Sequence, residues 1–235
     1  MQEQKNVSSR FAEAMAKMPL VAILRGVTPD ETPPVLAALI DAGFLLIEAP
    51  LNSPQPLESI RLMRAAAPSD VLIGAGTVTR LDEVDAVAEA GGDLVISPHC
   101  NVNIVAATKR RGLIALPGVA TPSEAFAALG AGADALKAFP AEMIAPPVIR
   151  AWRAVIAADV PILPVGGISP QSMADYVAAG ASGFGLGSAL YKAYDSADKV
   201  AASAAAFVAA WRKLQAAKMK SLPRVQPWAL KIDAP

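Results

Sequence analysis

Residues 113–139 read LIALPGVATPSEAFAALGAGADALKAF and hold one complete strand–helix–strand unit. The apolar run Leu113–Leu116 predicts a strand, and Thr121-Pro122-Ser123-Glu124 then supplies a hydroxyl N-cap and a proline at the first helical position. Glycines in Leu129-Gly130-Ala131-Gly132 end the helix, and the apolar run Ala135–Phe139 begins the next strand. Because these runs do not alternate apolar and polar residues, the strands are predicted to be covered on both faces.

The same unit recurs along the whole chain. The strand candidates are Leu20–Leu24, Leu45–Glu48, Val71–Ala75, Leu94–Ser97, Leu113–Leu116, Ala135–Phe139, Pro161–Val165 and Gly183–Leu186. They recur roughly every 20–27 residues with a helical stretch after each, which predicts an α/β fold, a single (β/α)8 TIM barrel. An open, doubly wound sheet uses the same alternation, usually with fewer strands, and stays as the alternative fold.

The ends of the chain are predicted to extend this barrel. Residues 1–217 are expected to form one domain that includes an N-terminal helix, in which Phe11, Met15 and Met18 recur at helical spacing. That helix is expected to cover the bottom of the barrel. Residues 218–235 form a C-terminal extension rich in Pro and Lys, which could pack on the body, contact a neighbouring subunit or stay loose.

Composition excludes several classes of function. Hydrophobic residues make up 54% of the chain and charged residues 18%, so disorder is excluded. The 21 basic residues balance 21 acidic ones, which leaves no charge signature for nucleic acid or for a membrane surface. No apolar stretch is long enough for a membrane span or a signal peptide, and the single Cys100 fits a reducing compartment, so a cytoplasmic location is predicted. One His and one Cys are too few for a zinc site, so no metal is expected.

Two charged residues stand within apolar strand candidates, at the strand ends where a barrel gathers its active site. Glu48 ends the second candidate, and Lys137 lies in the sixth. Burial lowers the pKa of a lysine and frees its amine to act as a nucleophile, and imine chemistry requires a nearby proton shuttle. The structural alternatives are a Glu48 held in a buried ion pair and a Lys137 that extends its ammonium group to solvent.

Glycines follow the last two strand candidates. Gly166-Gly167 follows the seventh and Gly187-Ser188 follows the eighth, the two positions where barrels commonly bind phosphate. Glycines let backbone N–H groups approach an anion closely. The alternative is that these glycines only allow tight turns.

Two further strand ends carry groups that suit an anionic ligand. The turn Gly74-Ala75-Gly76-Thr77-Val78 follows the third strand and suits backbone contact with a carboxylate. Arg25 follows the first strand, where its guanidinium could pair with a carboxylate, a phosphate or Glu48 itself.

Taken together, the strand-end motifs between Pro19 and Tyr194 resemble the class I aldolases of the 2-keto-3-deoxy-6-phosphogluconate and -galactonate family. The motifs are Ala22-Ile23-Leu24-Arg25-Gly26, Ile47-Glu48, Gly74-Ala75-Gly76-Thr77-Val78, Ile96-Ser97-Pro98, Leu116-Pro117-Gly118, Leu136-Lys137-Ala138-Phe139-Pro140, Val165-Gly166-Gly167-Ile168 and Leu186-Gly187-Ser188. The resemblance implies a homotrimer of (β/α)8 barrels that acts on a phosphorylated 2-keto-3-deoxy sugar acid and releases pyruvate. It implies no cofactor.

The resemblance also assigns roles to individual residues. It makes Lys137 the Schiff-base lysine and Glu48 the general acid and base. The implied substrate-binding residues are Arg25, Thr77, Pro98, Phe139 and Val165. The implied phosphate-binding residues are Gly166, Gly167, Gly187 and Ser188.

Two positions separate the branches of the family. Gluconate-type members typically carry Thr directly before the Gly-Gly pair and Arg after the second strand, where this chain has Val165 and Asn52. The chain therefore resembles the 2-dehydro-3-deoxy-6-phosphogalactonate aldolases, which implies cleavage to pyruvate and D-glyceraldehyde 3-phosphate in galactonate catabolism. A gluconate-type or dual-epimer aldolase is the first alternative. A sugar-phosphate isomerase or epimerase without an imine and a non-catalytic sugar-acid-phosphate binder are the others.

Overall fold

The computed structural model of the chain describes residues 6–221, and describes the side-chain surroundings of residues 6–217. The helices are α1 Val7–Lys17, α2 Thr32–Ala42, α3 Pro56–Ala66, α4 Leu81–Glu89, α5 Val102–Arg110, α6 Pro122–Gly130, α7 Pro146–Arg153, α8 Met173–Ala178 and α9 Ala197–Ser221. The strands are β1 Leu20–Ile23, β2 Leu46–Pro50, β3 Leu72–Gly76, β4 Leu94–Ile96, β5 Ile114–Leu116, β6 Gly118–Val119, β7 Leu136–Ala138, β8 Ile162–Pro164 and β9 Phe184–Leu186. Residues 222–235 of the predicted extension lie outside the described residues.

The strands form two parallel sheets. The larger has the order β5-β4-β3-β2-β1-β9 and the smaller the order β6-β7-β8. A parallel bridge between Val165, directly after β8, and Gly185 in β9 brings the two sheets together. The order runs without reversal from β5 to β1, which contradicts the doubly wound alternative because that fold reverses its strand order at a switch point. The predicted parallel α/β arrangement is confirmed.

Every predicted strand is present to within two residues, and a short strand that the sequence did not predict, β6, follows the fifth. Pro117 separates β5 from β6, because proline has no N–H to continue the hydrogen-bond ladder. The Pro117 carbonyl instead accepts a hydrogen bond of 3.0 Å from the Lys137 N–H. Because β6 adds one strand to the count, the sixth predicted strand, which contains Lys137, is β7 of the structure.

The strands are buried on both faces, as their apolar runs predict. One face packs against the surrounding helices, and the other forms an interior cluster that includes Leu46, Leu72, Leu94, Ile114 and Leu163. Phe11 and Ala14 of α1 belong to this same cluster. Helix α1 therefore covers the end of the interior opposite the strand carboxyl ends, as predicted. At α6, the Thr121 hydroxyl caps the Glu124 N–H at 3.3 Å, and the predicted helix start is confirmed.

Within the described residues, the structure shows neither a helix that could cross a membrane nor a cluster of metal ligands. None of the helices described there has the length and apolar character needed to cross a bilayer. In the same part of the chain, no three His, Cys, Asp or Glu side chains are grouped so that they could hold a metal ion.

Candidate active site

The sheet geometry directs three of the predicted residues into the interior. Alternate residues of a strand point to the same face, so Glu48 shares the face of Leu46, and Val165 shares that of Leu163. Lys137 follows the same rule with Ala135. Leu46, Leu163 and Ala135 all belong to the interior cluster. Glu48, Lys137 and Val165 therefore lie above that cluster, toward the carboxyl ends of the strands.

Lys137 is buried within this interior. Its side chain is 5% exposed, and its Nζ lies 4.6 Å from the centroid of the Phe139 ring. Burial lowers the pKa of the Lys137 amine; the Glu48 carboxylate opposes this shift, and the charge of Arg25 adds to it. The alternative in which Lys137 extends its ammonium group to solvent is therefore wrong. The lowered pKa makes the free amine, which is the nucleophilic form, easier to reach than in an ordinary lysine.

Glu48 is the second buried charged group, with 1% of its surface exposed. Burial raises its pKa to about 7, and the charges of Lys137 and Arg25, together with the nearby Gly76 N–H, only partly oppose this rise. Within the described residues its Oε2 is buried and accepts no hydrogen bond. Buried polar atoms are normally satisfied, so this oxygen is available to a ligand or a water molecule.

For both groups, burial outweighs the attraction between their charges. Burial thus shifts Lys137 toward its neutral amine, and it lets the Glu48 carboxyl gain and lose its proton near neutral pH. This differs from the permanently charged, buried ion pair that formed the structural alternative for Glu48. A general acid and base works best with a pKa close to the operating pH, which is where Glu48 lies.

Arg25 lies at the mouth of the interior and is exposed to solvent. Its Nη1 donates a hydrogen bond of 2.9 Å to the Asn52 Oδ1, so its direct partner is Asn52 rather than Glu48. Its positive charge still acts on both buried groups. It partly opposes the rise in the pKa of Glu48 and adds to the fall in the pKa of Lys137. Sequence reasoning singled out Asn52 only as a difference between family branches and missed this contact.

Thr77 directly follows β3 in a left-handed backbone conformation, with φ of +57°. This conformation is rare for a β-branched side chain and costs energy. The neighbouring Gly76 has no side chain because a Cβ atom there would collide with both carboxylate oxygens of Glu48. The end of β3 therefore leaves room for the Glu48 carboxylate at Gly76, and the next residue, Thr77, is held in a strained conformation. Sequence reasoning treated Gly76 only as part of a small turn.

The two glycine loops lie next to each other because Val165 bridges to Gly185. Gly166 and Gly167 have φ of +114° and +61°, conformations that favour glycine, so the turn itself accounts for both. A Cβ atom at Gly187 would meet nothing within 4 Å, so packing does not require a glycine there. The tight-turn alternative thus explains the first loop but not the second.

The predicted wall residues lie around the same interior. Phe139 is half-buried, and its ring lies under the Lys137 amine. Pro98 is also half-buried, and its backbone packs so closely that a Cβ atom at Gly118 would come within 2.5 Å of it. Ser188 is exposed at the edge of the second glycine loop.

Comparison with known proteins agrees with this arrangement. The family model described as "Aldolase: KDPG and KHG aldolase" matches residues 11–203. The 2-dehydro-3-deoxy-6-phosphogalactonate aldolase of Escherichia coli strain K12 is 46% identical over 197 residues, which cover 84% of this chain and 96% of that protein. The 2-dehydro-3-deoxy-phosphogluconate aldolase of Treponema pallidum strain Nichols is 30% identical over 71% of this chain and 79% of that protein.

A solved structure described as native KDPGal is similar in three dimensions. It superposes with a TM-score of 0.84 at 45% sequence identity, covering 85% of this chain and 97% of that one. The fold, the family model and the similar proteins agree, and the family resemblance stated from the sequence is confirmed. The chain belongs to the KDPG and KHG aldolase family.

Proposed function

We propose that this chain is a class I aldolase that cleaves 2-dehydro-3-deoxy-6-phospho-D-galactonate to pyruvate and D-glyceraldehyde 3-phosphate, within galactonate catabolism. One observation carries the chemistry: a buried lysine amine of lowered pKa faces a buried carboxyl of raised pKa. The greater similarity to the galactonate-type relative, together with Val165 and Asn52, supports the choice of substrate.

The first half of the reaction forms an imine. The Lys137 amine attacks the C2 ketone of the substrate, and Glu48 supplies and removes protons as the carbinolamine loses water. The protonated imine then acts as the electron sink. The imine therefore supplies the electrophile, and the proposed reaction needs no metal or organic cofactor.

The second half breaks the carbon–carbon bond. Glu48, directly or through a water molecule, takes the proton of the C4 hydroxyl, and the electron pair of the C3–C4 bond moves into the imine as an enamine. The aldehyde fragment, D-glyceraldehyde 3-phosphate, leaves. Protonation of the enamine at C3 and hydrolysis of the resulting imine release pyruvate and return Lys137 as the free amine.

The remaining predicted residues are proposed to hold the substrate. Thr77 and its turn would bind the carboxylate and the keto end, with Arg25 contacting the ligand at the mouth and with Pro98 and Phe139 as walls. The phosphate group would bind between the two neighbouring glycine loops, which comprise Gly166, Gly167, Gly187 and Ser188. The left-handed Thr77, the open space at Gly187 and the adjacency of the loops support these roles.

Val165 is proposed to set the preference between the two C4 epimers. It is 7% exposed and lies on the interior face, directly before the glycine pair. A Thr hydroxyl there could hydrogen-bond the C4 hydroxyl of one configuration, and a bond of this kind contributes about 1 kcal/mol. Val165→Thr should therefore shift the ratio of kcat/KM values toward the gluconate epimer by about fivefold.

Side-by-side pyruvate release from both epimeric phosphates measures this shift. Val177→Thr makes the same chemical change on α8 at a half-buried position, and it should leave the ratio unchanged. An unchanged ratio in the Val165→Thr variant would show that another residue discriminates between the epimers.

Gly76→Ala tests the position of the Glu48 carboxylate. Because the added Cβ would collide with that carboxylate, the group must move, and a displacement of about 1 Å can reduce turnover about 10²-fold. We expect such a loss in pyruvate release, with a lower melting temperature because the interior becomes overpacked.

Gly130→Ala is the matched control for this variant. Gly130 lies in α6, and a Cβ atom there meets nothing within 4 Å. Turnover and melting temperature should both stay at or above the wild-type values. If Gly76→Ala keeps wild-type turnover, the carboxylate either tolerates the displacement or takes no part in the reaction.

The proposed function is tested by coupling turnover to lactate dehydrogenase, which reports pyruvate. Release that EDTA leaves unchanged and that borohydride abolishes in the presence of substrate supports the imine route. A sugar-phosphate isomerase or epimerase would release no pyruvate, and a metal-dependent aldolase would lose activity with EDTA. A non-catalytic binder would show no turnover at all.

The separation of β5 from β6 at Pro117 and the bridge between Val165 and Gly185 support closure of the two sheets into one (β/α)8 barrel. We propose that residues 1–217 form this single domain, with residues 218–235 as an extension. The homotrimeric assembly and the cytoplasmic location implied at the sequence level stay predictions.

A further inference from the structure

The side chain of Glu142 lies directly over the Gly166-Gly167 pair. A Cβ atom built at Gly166 would collide with the Glu142 Oε2, and one built at Gly167 would come within 3.1 Å of its Cγ. In the part of the chain that the structure describes, this carboxylate has neither an ion pair nor a hydrogen bond. A carboxylate without a partner among the described residues thus covers the two glycines that are proposed to bind phosphate.

The backbone next to Glu142 is held on two sides. The Ala141 N–H donates a hydrogen bond of 2.8 Å to the Val165 carbonyl, and the Ala141 carbonyl accepts one of 2.9 Å from the Tyr176 hydroxyl. Both Ala141 and Tyr176 are buried. Because the preceding residue is fixed to the segment that carries the glycine pair, the backbone of Glu142 is held next to that pair, and its exposed side chain reaches over the two glycines.

We propose that Glu142 is a specificity-determining residue whose carboxylate covers the Gly166-Gly167 pair in the empty site and opposes the binding of phosphate groups there. A phosphate group and the carboxylate carry charges of the same sign and compete for the same space, so the Glu142 side chain moves away before phosphate contacts the loop. This raises the KM of phosphorylated substrates and speeds the release of the phosphorylated aldehyde. The inference rests on the proposed phosphate site at this glycine pair, and on the proposed aldolase activity for its link to turnover.

The first test is Glu142→Gln, which keeps the size of the side chain and removes its charge. Inorganic phosphate is the probe, and its binding is followed by ³¹P NMR titration, which needs no catalytic activity. We expect phosphate to bind about three- to tenfold more tightly to the variant, the range that follows from removing one like charge at close distance. The gain should shrink at high salt because screening weakens charge repulsion.

Steady-state kinetics then show whether Glu142 acts on the phosphate group or on the rest of the substrate. In Glu142→Gln, the KM of the phosphorylated sugar acid should fall by a similar factor, whereas the KM of the unphosphorylated sugar acid should stay at its wild-type value. Glu142→Ala removes charge and cover together and should bind phosphate at least as tightly as Glu142→Gln. Asp175→Asn, at an exposed acid of α8, is the same-charge control and should change neither quantity.

The outcomes separate this inference from the proposed function. Unchanged phosphate binding in both Glu142 variants overturns the inference, and so does a KM change that is equal for both sugar acids, since that would indicate a general effect on the loop. A wild-type protein that binds phosphate less tightly than Glu142→Gln but releases no pyruvate supports the inference and rejects the aldolase proposal.

Discussion

Lys137→Met is expected to reduce pyruvate release by about 10³-fold or more, the scale seen when a covalent nucleophile is removed. Methionine is close to lysine in length and is apolar, so it fills the space beside Phe139 but cannot attack a ketone. Every proposed step depends on the imine, and no other amine is proposed to replace this one. Lys137→Ala should show the same loss.

The fold of the Lys137→Met variant should survive, which makes the loss interpretable. Burial lowers the pKa of the native amine, so the folded chain bears a desolvation cost that methionine does not have. Circular dichroism and thermal melting should match or exceed those of the wild type. Turnover within about tenfold of the wild-type rate would reject Lys137 as the nucleophile.

Glu48→Gln is expected to lower turnover by about 10²- to 10⁴-fold, the usual contribution of a positioned general acid and base. Glutamine has the shape of the carboxyl group but does not exchange protons near neutral pH. Imine formation and carbon–carbon cleavage should both slow, and both are measurable as single-turnover rates. A variant that cleaves at the wild-type rate would remove Glu48 from the proposed mechanism.

The Glu48→Gln substitution should also change how the free energy of unfolding depends on pH. Burial raises the pKa of Glu48 in the folded state to about 7, above its ordinary value of 4.5. The folded state therefore holds this proton more tightly, so the contribution of Glu48 to stability is complete below the ordinary value and is lost as the pH rises through about 7.

Because Gln does not titrate, Glu48→Gln should gain stability relative to the wild type between pH 5 and pH 8, by roughly 2.5 kcal/mol in the free energy of unfolding. Urea denaturation of both proteins at the two pH values measures this difference. If the free energies of unfolding of the two proteins differ by the same amount at pH 5 and at pH 8, Glu48 titrates as an ordinary exposed carboxyl.

The sequence is sufficient to predict the strands and the two catalytic candidates, for local reasons. A continuous apolar run between a glycine stop and a capped helix start leaves little choice but a strand covered on both faces. A charged residue inside such a run, as with Glu48 and Lys137, is costly enough to indicate a function. The end of β5 also has a local signal in Pro117, whereas the additional strand β6 after it follows only from the structure.

Other features depend on contacts between distant parts of the chain. The contact of Arg25 with Asn52, the collision that forbids a side chain at Gly76 and the position of Glu142 over the glycine pair all join different strand ends. No local pattern encodes such pairs, because each depends on how neighbouring strands are aligned. The direction of the pKa shifts could be anticipated from burial alone, whereas the balance between burial and the opposing charges could not.

Borohydride reduction of the protein in the presence of pyruvate tests the imine most directly. The reagent converts a transient imine into a stable amine, and intact-mass spectrometry followed by peptide mapping locates the adduct. We predict one pyruvate adduct per chain, on Lys137, and none in Lys137→Met. An unchanged mass of the wild-type chain, or an adduct on a different lysine, would contradict the assignment.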